Sequence, residues 1–157
     1  MSIDEFRVVA HQIQHELMSL APLMNGANSL LRQLHAMKVP LALATSSFKA
    51  VMEIKTQSHR ELFSVFSGIV TGDHPAVKHG KPSPDIFLEA AKQLNLEPTR
   101  CLVFEDSPTG VRAGLAANMT VIWIPDQNLW YKIAEENSDL VNHPSVHILK
   151  SLEEFLN

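Results

Sequence analysis

Val103-Phe104-Glu105-Asp106-Ser107-Pro108-Thr109-Gly110 is a short apolar run that stops at two adjacent carboxylates and then turns into a helix start. An apolar run of this length, bounded by turn signals, reads as a buried strand. Ser107 followed by Pro108 is the usual order of an N-cap and a first helical residue. The same alternation recurs on both sides. Apolar runs lie at 40–44, 68–70, 101–104, 121–124 and 146–149, separated by helical segments at about 48–61, 84–95, 109–117, 128–136 and 151–156. Fully apolar strands alternating with helices predict an α/β fold whose parallel sheet is covered on both faces. Ahead of this pattern, Ile3, Phe6, Val9, Ile13 and Leu17 recur at helical spacing and predict a helix over 3–20. Leu30, Leu31, Leu34 and Met37 predict a second over 27–38.

Composition narrows the class. A chain of 157 residues suits one domain with one sizeable core. The net charge of -4 and the scattered lysines and arginines give no footprint for nucleic acid. No apolar stretch reaches membrane-spanning length, and the N-terminus lacks the order of a signal peptide, so no membrane partner is expected. The single cysteine, Cys101, excludes an internal disulfide and suits a reducing, cytoplasmic setting. Cys101 and Trp123 read as core, and Trp130 as packing or loop-facing.

In a parallel sheet, ligands bind at the carboxyl ends of the strands, and Thr45, Glu105 and Asp106 fall there, while Lys81 stands at a helix start. Thr45-Ser46-Ser47 follow the first buried run; they read either as helix caps or as donors to an anion, and capping alone is the simpler reading. Lys81 stands just before Ser83, Pro84 and Asp85, which have the order of N-cap, first helical residue and first-turn acid. A lysine there opposes the helix dipole unless it faces an anion; otherwise it is a solvated side chain. The stretch is not a P-loop, because Pro75 and Pro82 occupy key positions. Glu105 and Asp106 suit magnesium, a hard cation that prefers oxygen, with helix capping as the alternative. His11 and His15 lie one turn apart without a third ligand and read as a solvated face. His74 and His79 flank the loop that leads to Lys81 and read as exposed, with contact to substrate as the alternative. Hydroxyls, a lysine and an acidic pair make a set suited to phosphate and magnesium. No Asp-x-Asp pair follows an apolar strand near the N-terminus, so the set has no obvious nucleophile.

Thr45-Ser46-Ser47, Gly80-Lys81-Pro82-Ser83-Pro84-Asp85-Ile86-Phe87 and Phe104-Glu105-Asp106-Ser107-Pro108-Thr109-Gly110 resemble, in order, motifs II, III and IV of the haloacid dehalogenase superfamily. The stretch from Val70 to Lys81 resembles the pseudouridine-5'-phosphatase and β-phosphoglucomutase-like phosphatases within it. The resemblance implies a Rossmann-like core with a parallel sheet flanked by helices (22–157) and a remnant of a helical cap (1–21). It implies a phosphomonoesterase using Mg2+ on a small phosphorylated metabolite, a nucleotide or sugar phosphate. Thr45, assisted by Ser46, would bind the phosphoryl group. Lys81 would neutralise it and hold the acidic groups. Asp106 would ligate magnesium with Glu105 beside it.

The chain departs from the family pattern at its start. Family members open with a strand ending in Asp-x-Asp, whose first aspartate is the nucleophile. Here Asp4 is the only early aspartate, and no strand precedes it. The resemblance therefore implies a truncated form: an internal start, an incomplete gene model or a degenerate copy. It also implies a sheet without its first strand, which lies centrally between the runs ending at Ala44 and Phe104. Those two runs should be left unpaired or forced together, and Phe6, Val9, Ile13 and Leu17 should form an exposed stripe. Marginal stability, self-association or pairing with a full-length relative would follow. The expected activity is none without the nucleophile. The alternative is a non-catalytic pseudophosphatase that binds a partner through its incomplete sheet.

Overall fold

The computed structural model describes residues 2–156; within the first helix the side chains at 4, 7, 8, 10, 11, 12 and 14 lie outside that description, and with them the readings of Asp4 and His11. Helix α1 (Ile3–Ser19) starts with a reciprocal cap. Ser2 Oγ accepts from the Glu5 amide at 3.2 Å, and the Glu5 carboxylate accepts from the Ser2 amide at 2.6 Å. Then come α2 (Ala27–Ala36), β1 (Ala42–Ala44), α3 (Lys49–Thr56), α4 (Arg60–Phe63), β2 (Gly68–Val70) and α5 (Asp85–Gln93). The alternation continues through β3 (Leu102–Glu105), α6 (Pro108–Ala116), β4 (Thr120–Trp123), α7 (Trp130–Glu136), α8 (Ser138–Val141) and β5 (Val146–Ile148).

Three helical expectations change in detail. The segment at 48–61 is broken by a 3-10 turn, Gln57–His59, between α3 and α4. The Thr56 hydroxyl bonds back to the Met52 carbonyl at 2.9 Å, a local competitor of the helix ladder. The segment at 128–136 starts at Trp130 and is followed by the separate short α8. The last segment, Leu152–Leu156, is a 3-10 helix.

The sheet is parallel throughout, but it is two sheets. β1 pairs with β2, and β3, β4 and β5 form a second ladder in that order. Among the described residues no ladder joins β1 to β3, so the unpaired alternative holds. Backbone groups alternate in direction along a strand. The Thr45 amide bonds to the Val70 carbonyl, so Ala42 and Ala44 turn their backbone groups away from β2. The Ile124 amide bonds to the Glu105 carbonyl, so Leu102 and Phe104 turn theirs away from β4.

One core nevertheless spans both ladders. α5 packs on β1 and β2, α6 on β3 and β4, and the two helices touch. Their shared core holds Val70, Ile86, Phe87, Val103, Val111 and Trp123, with Trp123 fully buried and Trp130 edge-on to it at 5.8 Å. Cys101 packs at the margin of this core just before β3, and burial pushes its thiol up. Leu30 of α2 and Leu152 cover Ile122 and Ile124 on the opposite face. α1 lies against α3, but Phe6, Val9, Ile13 and Leu17 remain exposed, as the stripe required.

Unpaired strand edges exchange their amides faster than laddered ones. The amides of Ala42, Ala44 and Phe104 should exchange faster than those of Leu43, Thr45 and Val103 in hydrogen-exchange NMR. Equal protection along β1 and β3 would show that the edges are paired.

Candidate active site

Lys81 is the meeting point of the site. Its ammonium is paired with the Glu105 carboxylate at the end of β3 and lies 3.5 Å from the Ala44 carbonyl at the end of β1. Both side chains are withdrawn from water, at 12% and 8% exposure, so each charge depends on the other. The ammonium also sits 4.8 Å from the Phe87 ring centroid, a cation–π contact. Of the two sequence readings of Lys81, the one facing an anion holds, and here the anion is a carboxylate.

The loop that delivers Lys81 is organised by Asp85. Its carboxylate accepts from the amides of Lys78 and His79 at 2.9 and 3.0 Å and from Ser83 Oγ at 2.6 Å. Ser83 is therefore a donor to Asp85 and not the helix cap; the N-cap is Pro84. The Ser83 hydroxyl, with the His79 amide next in weight, holds the Asp85 carboxyl down at about 2. His79 is exposed and 3.6 Å from Asp85, so it belongs to this loop. His74 Nδ1 accepts from the Ala76 amide, a local turn contact.

Glu105 is fixed on its other side as well. Oε2 accepts from Ser107 Oγ at 3.2 Å, and Ser107 Oγ accepts from the Gly110 amide at 3.1 Å, which caps α6. A Cβ on Gly110 would collide with the Glu105 carboxylate, so any larger residue there would push that carboxylate from its place beside Lys81. Asp106 differs from its neighbour. Its carbonyl accepts from Trp123 Nε1 at 2.9 Å, but its carboxylate is exposed and has no hydrogen-bond or ion-pair partner among the described residues.

Thr45 Oγ1 accepts from the Ser47 amide at 3.1 Å, and Ser47 Oγ accepts from Lys55 at 3.1 Å. These residues form a turn and do not cap α3, whose first residue Lys49 is capped by Asp73 at 2.9 Å. The Thr71 hydroxyl and the Lys49 amide hold the Asp73 carboxyl below the ordinary range. Ser46 is exposed, and its carbonyl lies against Gly72, where no side chain fits. Sequence reasoning missed Asp73 and Lys55 because their partners lie 24 and 8 residues away. It also missed a groove of about 680 Å³ beside α3, lined by Lys49, Arg60, Phe63, Thr71 and His74.

Magnesium commonly takes one or two carboxylates and completes its shell with water and phosphate oxygens. Asp106 offers an unpartnered carboxylate, and Glu105 is adjacent, so the donor type fits. Among the described residues no three His, Cys, Asp or Glu side chains come together as a closed metal site.

Gly110→Ala should destabilise the fold by about 1–3 kcal/mol in urea unfolding, because the new methyl displaces Glu105. Helix propensity alone predicts the opposite sign, by up to about 1 kcal/mol. Asp85 has a lowered folded-state pKa, so its contribution is complete above the unfolded carboxylate value and is lost as pH falls from about 4 to about 2. Stability measured across that window should fall less steeply for Asp85→Asn than for the unaltered chain; identical slopes would contradict the role of Asp85.

The haloacid dehalogenase-like hydrolase family model matches residues 3–118. The chain is 44% identical over 158 residues to a probable pseudouridine-5'-phosphatase of Drosophila melanogaster, covering 99% of this chain and 65% of that one. It is 42% identical over 132 residues to the mitochondrial (DL)-glycerol-3-phosphatase 1 of Arabidopsis thaliana, covering 82% of this chain and 44% of that one. It thus spans about half to two-thirds of the length of these relatives. Among solved structures, a putative β-phosphoglucomutase from Thermotoga maritima superposes with a TM-score of 0.79 at 26% identity, over 100% of this chain and 69% of that one. A hydrolase of the same family from Deinococcus radiodurans, with bound phosphate and sodium, gives 0.77 at 29% identity, over 98% and 66%. With a lysine joining two strand ends through a paired glutamate, and a family match over most of its length, the chain belongs to the haloacid dehalogenase-like hydrolases.

Proposed function

We propose that this chain is the phosphate- and cation-binding part of a magnesium-dependent phosphomonoesterase of the pseudouridine-5'-phosphatase type, acting on a nucleotide or sugar phosphate. The observation that carries this is Lys81, held between the ends of β1 and β3, with Asp106, unpartnered among the described residues, following Glu105 in the chain. Thr45 offers a hydroxyl at the end of β1, and Ser46 a second, exposed one, as donors to phosphate oxygens. Lys81 supplies positive charge that Glu105 keeps in place. Asp106, with Glu105 adjacent, would hold magnesium, which when bound neutralises phosphate charge. A cytoplasmic setting fits the unpaired thiol of Cys101.

Phosphoryl transfer through a covalent intermediate needs a carboxylate nucleophile placed against the phosphate. Asp106 and Glu105 are the carboxylates at these strand ends, and both are assigned to cation and lysine. On this reading the chain binds phosphate with magnesium and does not turn substrate over. The second reading, a non-catalytic partner of a full-length relative, draws on the unpaired edges of β1 and β3. Co-elution with such a relative would separate it from the first.

Calorimetric titration of inorganic phosphate in the presence of magnesium should show binding that weakens at least tenfold in Asp106→Asn. Pseudouridine 5'-phosphate and a generic aryl phosphate should show no turnover. Absence of magnesium-dependent phosphate binding would overturn the site. Turnover that disappears in Asp106→Asn would show that another carboxylate acts as nucleophile.

A further inference from the structure

The exposed face of α1 has a finer pattern than amphipathicity alone. Ile3, Ala10 and Leu17 are spaced by seven residues, and so are Phe6, Ile13 and Leu20. The two series interleave by three and four, the spacing of a coiled-coil seam. Ile3, Phe6, Ile13, Leu17 and Leu20 are 73%, 58%, 52%, 66% and 76% exposed, although α1 is already docked on α3. Burial against this chain's own core therefore does not explain the seam.

We infer that the chain forms a two-fold dimer in which the α1 helices of two copies pair along this seam. Three observations select a second copy as occupant. The first is area. These side chains and Val9 expose roughly 600 Å² per copy, at the upper end of the largest patch of a typical monomer. Two copies reach about 1,200 Å², the lower bound of a stable specific interface. The second is pattern. A seam of interleaved Ile, Phe and Leu is complementary to itself, which a two-fold interface requires. Its flanking positions are Arg7, Val9, Gln14 and Glu16 in sequence, so a repeated copy brings no two like charges into register. The third is charge. Asp4, Glu5 and Glu16 outnumber Arg7, the reverse of the basic helices that lie on anionic membranes. The dimer does not depend on the proposed phosphate site, which lies at the strand ends.

Light scattering coupled to size exclusion tests this on the full chain. The unaltered protein should elute at twice the 17.5 kDa chain mass at tens of micromolar. Phe6→Glu with Ile13→Glu should elute at the single-chain mass, with far-ultraviolet circular dichroism and phosphate binding unchanged. Tyr131→Glu alters an equally exposed apolar residue on α7, at 84% exposure, and should leave the dimer intact. A monomeric unaltered chain would overturn the inference, as would a dimer that survives the double substitution or is lost in Tyr131→Glu. Equal binding to anionic phospholipid vesicles by a monomeric chain would assign the seam to a membrane surface instead.

Discussion

Two charges withdrawn from water hold this structure together where its backbone does not. β1 and β3 share no ladder, yet Lys81 contacts the Ala44 carbonyl at the end of one and the Glu105 carboxylate at the end of the other. Neither charge is tolerable alone at that depth. Much of the local sequence serves the pair. Asp85 shapes the loop that presents Lys81, Ser107 takes the second oxygen of Glu105, and Gly110 leaves room for the carboxylate. The same arrangement makes the site: a cation with its neutralising acid, Glu105, and an exposed acid, Asp106, next to Glu105 in the chain.

The consequences run outward from that point. Helices α5 and α6 make one core across both ladders, so apolar packing and a single ion pair do work that strand pairing does elsewhere in the fold. The edges of β1 and β3 keep backbone groups without ladder partners, and α1 keeps an apolar seam without a cover. Both are surfaces that favour association. The phosphate chemistry proposed for the strand ends and the pairing proposed for α1 occupy different parts of the molecule.

Most of the fold was legible in the sequence because its signals are local. Strand runs such as Val103–Phe104 and the Ser107-Pro108 helix start are read from neighbours, and the structure places β3 and α6 there. The family likeness carried the placement of Lys81 at the strand ends, which no spacing rule gives. What failed was long-range or geometric. The Thr45-Ser46-Ser47 turn resembled a helix cap, but the cap of α3 comes from Asp73 in another loop. Ser83 resembled a cap, but its hydroxyl is spent on Asp85. Glu105 was read as standing beside Asp106 at magnesium, with Lys81 holding the acidic groups; the Lys81–Glu105 pair and the Ser107 contact fit that hold, and Asp106 is left exposed.

The most direct test of the account is a double-mutant cycle on Lys81→Met and Glu105→Gln, read by urea unfolding. Each single substitution should cost about 3–5 kcal/mol, because it leaves its partner buried and unpaired. The double substitution should cost well under the sum, with a coupling of about 1–3 kcal/mol. Additive losses would mean that Lys81 and Glu105 act independently, and that something other than this pair joins the two ladders.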